Sequence, residues 1–119
     1  MKDRIIIGLT QKITLFGSDG AKRTVTARID TGASKNSVDA KLAAELNLGP
    51  IIKTKLVKSA HGNKLRPVVK ARIKIAEKEL KSEFTVADRE HMTYKALIGQ
   101  NILKKGFLID PSKGWYQWK

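Results

Sequence analysis

A chain of 119 residues has the length of one domain with its own core, and no Pro/Gly/Ser-rich linker or internal repeat divides it. Residues 1–119 are therefore read as a single domain. There is no cysteine, which excludes disulfides and thiolate metal sites, and 24 Lys+Arg face 11 Asp+Glu for a formal net charge of +13. Such a surface attracts polyanions, and ten of its basic residues fall between Lys53 and Lys81 against two acids, Glu77 and Glu79.

In chain order, the apolar run Ile5-Ile6-Ile7 is too short for a signal segment, and nothing approaches a membrane span. The expectation is a soluble cytoplasmic protein with no membrane partner. Arg23 to Ile29 alternates, with Val25, Ala27 and Ile29 on one face, the pattern of a half-wet strand. Asp39 to Leu48 reads as a helix, with Val38, Leu42 and Leu46 at four-residue spacing and Asn47 and Gly49 as stop signals. Val69, Ala71, Ile73 and Ile75 alternate with Lys70, Arg72 and Lys74, a second half-wet strand. Turn signals stand at Ser18-Asp19-Gly20, His61-Gly62-Asn63, Glu77-Lys78 and Pro111-Ser112-Lys113-Gly114. Gly99 to Lys105 forms a short second helix at most. The fold class is mainly β, a closed or partly closed barrel with one or two short helices. Trp115, Tyr116 and Trp118 read as packing of a terminal strand, with a place at a dimer interface.

Asp30-Thr31-Gly32-Ala33 follows directly on the strand that ends at Ile29. A string of the form D-[ST]-G-[AST] arises by chance in on the order of one such chain in a hundred. Taken alone, Asp30 reads equally as a turn residue closing a strand. A catalytic carboxylate, however, must project from a rigid loop. Thr31 can hydrogen-bond within that loop, Gly32 allows close backbone approach, and Ala33 leaves room for substrate. Leu97-Ile98-Gly99, some 65 to 70 residues further on, ends an apolar strand in glycine.

These two motifs, with Ser59-Ala60-His61-Gly62, Arg66-Pro67-Val68-Val69, Phe84-Thr85-Val86-Ala87-Asp88-Arg89, Met92 and Phe107-Leu108-Ile109-Asp110, resemble a family of retropepsin-like aspartic peptidases. That family is often labelled "ATP-dependent zinc protease" and is associated with ATP-grasp α-L-glutamate ligases. The likeness runs from about residue 24 to residue 112. Ile7-Gly8-Leu9-Thr10 replaces the tryptophan-containing start usual there, and Gln100 stands where arginine is common. The resemblance implies a retropepsin-like closed barrel. It also implies an aspartic endopeptidase working as a homodimer, with one catalytic Asp30 from each subunit. The sequence offers one D-T-G-A, so a two-fold axis would have to supply the second carboxylate.

The resemblance further implies that Thr31 locks the two loops, that Leu97-Ile98-Gly99 passes behind the catalytic loop, and that Ser34 and Ser37 line the pocket. The turn bearing His61, Gly62, Lys64 and Arg66, with Lys58 beside it, would be a flap over substrate. A basic cleft and the glutamate-ligase association both point to acidic, glutamate-rich polypeptides. Zinc and ATP find no support in the sequence, so no metal or cofactor is expected. The two histidines, His61 and His91, stand thirty residues apart, without Cys, an H-E-x-x-H or a phosphate-binding glycine loop. The alternative is a non-catalytic basic β-domain binding RNA or ribosome. It is less favoured because no aromatic interleaves the basic strands as a base-stacking platform would.

Overall fold

The alternation of apolar and charged residues becomes a sheet closed on itself. The computed structural model describes residues 3–60 and 62–114, with Ser59 described by its backbone alone. His61, Trp115, Tyr116 and Trp118 lie outside the described residues, and so do the roles expected of them.

The strands are β1 (Ile5–Ile7), β2 (Thr10–Phe16), β3 (Lys22–Ile29), β4 (Asn36–Asp39), β5 (Ile51–Ser59), β6 (Gly62–Ile75), β7 (Lys78–Ala87), β8 (Ala96–Ile98) and β9 (Phe107–Ile109). Two short helices, α1 (Ala40–Glu45) and α2 (Gln100–Leu103), follow β4 and β8. The main sheet runs β2-β3-β8-β4-β7-β6-β5, and β2 also pairs with β6 through Ile13↔Ile75 to Phe16↔Arg72. That pairing closes six strands into a barrel and leaves β5 outside the ring. Closure removes the open edges that a flat sheet would present.

Period two decides which side chains go inside. Ile13 and Leu15 of β2, Ala27 and Ile29 of β3, and Ala71, Ile73 and Ile75 of β6 are buried, while the residues between them face water. Phe84, Val38 and Ile98 complete the interior at 0% exposure. The faces expected for β3 and β6 are the faces observed.

The expected helix over 39–48 is shorter in the structure. Asp39 is its N-cap, and Asn47 ends it by adopting a left-handed backbone with φ 50°. The Leu48 N–H then bonds the Ala43 carbonyl at 2.9 Å and the Asn47 N–H that of Ala44 at 3.1 Å, a Schellman closure that leaves Leu48 buried.

β6 is the longest strand. Its second half lies in the barrel between β7 and β2, but from Gly62 to Pro67 it pairs, among the described strands, with β5 alone. The two strands therefore leave the barrel as a hairpin arm. Leu56 and Leu65 face each other across this arm at 50% and 71% exposure, so ladder bonds and cross-strand pairs hold it rather than a core. Among the described residues no helix is long and apolar enough to cross a membrane.

Candidate active site

Asp30 is the first residue after β3, where the chain turns out of the barrel. Its N–H donates to the Ile98 carbonyl at 2.9 Å, fixing the loop to the end of β8. The Gly32 N–H donates to Asp30 Oδ1 at 3.0 Å, and the Ala33 N–H donates to the Asp30 carbonyl at 3.2 Å. The carboxylate is thus held from within its own loop. Asp30 is half-buried, whereas Thr31 and Gly32 are exposed. Among the described residues no cation forms an ion pair with Asp30, and no second carboxylate shares its hydrogen bonds.

Behind the loop stands Leu97-Ile98-Gly99. A Cβ on Gly99 would lie 2.4 Å from the Lys35 carbonyl oxygen and 2.7 Å from that of Ala33, so only glycine fits. The first turn of α2 continues the brace. Gln100 N–H donates to the Ala33 carbonyl at 2.8 Å, Gln100 Nε2 to the Thr31 carbonyl at 2.7 Å, and Asn101 N–H to the Ser34 carbonyl at 3.2 Å. The glutamine in place of the arginine common in the resembled family therefore reaches the candidate catalytic loop directly.

A residue that the sequence reading passed over completes the support. Asn36 is 1% exposed. Its Nδ2 donates to Ser82 Oγ at 3.1 Å and to the Glu83 carbonyl at 2.9 Å, and its Oδ1 accepts the Gly99 N–H at 2.9 Å. One amide thus ties β4, β7 and the glycine behind the loop. Within Ser34-Lys35-Asn36-Ser37 it looks like one more loop polar, and no local signal marks it out.

The remaining candidates scatter. Ser34 is exposed on the loop. Ser37 is half-buried inside β4, opposite Leu97 on one neighbour and Thr85 on the other. Gly62, with φ +107°, Lys64 and Arg66 lie on the hairpin arm. The register sets Lys58 opposite Asn63, while Lys64 and Arg66 stand opposite Val57 and Lys55. Lys58 therefore projects from the other face of the arm than Lys64 and Arg66, and the three cations do not form one cluster.

The base of the arm meets the loop at a cavity. This cavity, of about 290 Å³, is walled by Lys35 from the loop, Lys53, Thr54 and Lys55 from β5, Val68 from β6, and Glu83 and Thr85 from β7. Lys53 is paired with Glu83 at 3.2 Å, which leaves the Lys35 and Lys55 ammonium groups to set the charge of the cavity. Neither lysine was singled out as a site residue in the sequence. Among the described residues no three His, Cys, Asp or Glu side chains converge as metal ligands.

The fold is shared with solved structures. A protein of unknown function from Legionella pneumophila superposes with a TM-score of 0.65 at 23% identity, over 93% of this chain and 96% of that one. The simian foamy virus protease superposes with a TM-score of 0.57 at 18% identity, over 80% of this chain and 91% of its own. No curated protein matches the sequence. One family model, described as retropepsin-like aspartic endopeptidase RimB, matches residues 41–119. The Asp30 loop precedes that stretch, while the Leu97-Ile98-Gly99 brace and the hairpin arm fall within it. The match spans about two thirds of the chain, which therefore belongs to the RimB-like family of retropepsin-like aspartic endopeptidases.

Proposed function

We propose that this protein is an aspartic endopeptidase that works as a homodimer and cuts acidic, glutamate-rich polypeptides. The observation that carries the reading is the Asp30 loop: a carboxylate fixed by the Gly32 N–H, backed by Gly99 and Gln100, with its Thr31-Gly32 edge exposed. Aspartic peptidase chemistry needs two carboxylates sharing one proton. An exposed loop bearing one of them meets that need when a second copy brings its own Asp30 to a two-fold axis. The ionised member of the pair takes a proton from water, which attacks the scissile carbonyl. The protonated member hydrogen-bonds the carbonyl oxygen as the tetrahedral intermediate forms. The pair titrates as a unit, so neither carboxylate owns a fixed role in the free enzyme. The acidic substrate class draws on the net charge of +13 and on Lys35 and Lys55 in the cavity beside the loop.

The test is cleavage of a glutamate-rich polypeptide followed by mass spectrometry, with light scattering on the same preparation. Asp30→Asn should lose activity by about three orders of magnitude or more while folding and self-association persist. Wild type should scatter at twice the chain mass and cut equally well in EDTA. Full activity in Asp30→Asn, or in a strict monomer, would sink the reading.

A further inference from the structure

The register of β5, β6 and β7 sorts the positive charge onto one face. In β6 the even-numbered residues from Lys64 to Lys74 share a side opposite the buried Val69, Ala71, Ile73 and Ile75. They are Lys64, Arg66, Val68, Lys70, Arg72 and Lys74. Ten residue steps at the rise of a strand make a stripe of about 33 Å.

The cross-strand partners on the same side add Lys55, Lys53 and Lys81, set opposite Arg66, Val68 and Arg72. Two acids interrupt the stripe, and both are taken: Glu83 pairs with Lys53 at 3.2 Å and Glu79 with Arg72 at 3.0 Å.

Arg72 and Lys81 stand directly opposite one another, a like-charge pair that weakens a sheet. They also wall a second cavity of about 310 Å³ together with Lys70, Phe16 and the Gly49-Pro50 corner. The Arg72 guanidinium lies 4.0 Å from the centre of the Phe16 ring, which helps to hold it there. The first cavity, at Val68 and Thr85, and this second one lie on the same side of β6–β7. About four strand residues, or 13 Å, separate them.

We propose that this face is a binding track for an extended acidic polypeptide, which continues from the cleavage site past Lys35 and Lys55 to Lys70, Arg72 and Lys81. The inference rests on the peptidase reading and adds a site outside the reacting centre. The track begins at Lys35, five residues along the chain from Asp30, a reach of at most about 18 Å. A peptide in extended conformation repeats its side chains at the same interval as β6. Carboxylates at alternate positions therefore fall into step with cations at alternate positions. Nucleic acid fits less well, because Phe16 is, among the described residues, the one aromatic lining either cavity and Arg72 already stacks on it, which leaves no row of rings for successive bases.

The test compares glutamate-rich peptides of about six and about twelve residues on wild type and on Lys70→Gln/Lys81→Gln. Neither lysine side chain makes an ion pair among the described residues, so the double variant should fold as wild type does. Wild type should show a KM lower by about three- to tenfold for the longer peptide, an advantage that fades with salt. The variant should lose that advantage and keep wild-type kinetics on the short peptide, which does not reach the second cavity. Lys70→Glu/Lys81→Glu should invert the preference. An unchanged length dependence in both variants overturns the track and leaves the peptidase reading standing. If wild type cuts neither peptide, the peptidase reading fails, and anisotropy of the labelled longer peptide on wild type and variant still decides the track. An oligouridylate that binds more tightly than the peptide and weakens in the same variant overturns the proposal in favour of nucleic acid.

Discussion

At the scale of single residues, Asn36 shows how much of the candidate site depends on groups that do no chemistry. Its amide satisfies the Gly99 N–H, Ser82 Oγ and the Glu83 carbonyl in a place that water does not reach. Asn36→Ala would leave the buried Gly99 N–H without its acceptor, while Ser82 Oγ and the Glu83 carbonyl would keep the longer bonds they accept from Asn101 Nδ2 at 3.3 Å. Urea unfolding should show a loss of about 1–3 kcal/mol. A change below about 0.5 kcal/mol would mean that solvent reaches the knot. Asp30-Thr31-Gly32-Ala33 and Leu97-Ile98-Gly99 were legible in the sequence because each is a local string whose chemistry follows from adjacent residues. Asn36, Lys35 and Lys55 were not legible in that way. Their surroundings come from β7, β8 and the base of the arm, all distant in the chain.

Among the elements, α1 shows a carboxylate used for structure. Asp39 accepts the Leu42 N–H at 3.3 Å, capping the helix, and the Arg89 N–H at 2.8 Å, tying the 88–95 loop to it. Burial pushes the Asp39 carboxyl up, but these N–H groups and the charge of Lys95 outweigh it and hold it below its ordinary 3.8. A carboxylate depressed in this way stabilises the fold above the ordinary value, and the contribution disappears as pH falls through the lowered one. Asp39→Asn keeps one oxygen and turns an amide N–H₂ toward a backbone donor. It should cost about 1–2 kcal/mol at neutral pH. In acid-unfolding curves the gap to wild type should narrow below about pH 4, and a gap that widened there would refute this account. The existence of α1 could be read from Leu42 and Leu46. Asn47 was legible as a stop signal too, but the closing of the helix proper at Glu45, two residues before Asn47 turns left-handed, was not.

For the molecule as a whole, the β class followed from alternation in β3 and β6, whereas the closed barrel, expected and observed, came from the family resemblance and not from any one strand's pattern. Pairing of β2 with β6 joins segments nearly sixty residues apart, and no periodicity within either announces the other. The excess of positive charge was plain from composition, yet its face was not. A strand alternates sides with each residue, so Lys58 parts from Lys64 and Arg66 only once the register is known.

β6 therefore belongs to two neighbourhoods at once, and hydrogen exchange should expose the boundary. Ala71 and Ile73 lie in the closed ring, where releasing an amide means opening the barrel. Lys64 and Leu65 are paired with β5 alone, in an arm with no buried side chain among the described residues. Pro67, which has no N–H of its own, sits at the changeover. A single continuous strand should then keep two clocks. Amides from Val69 onward should exchange at rates near that of global unfolding, while those of the arm exchange orders of magnitude faster. Uniform protection along its whole length would mean that the arm does not open independently of the barrel.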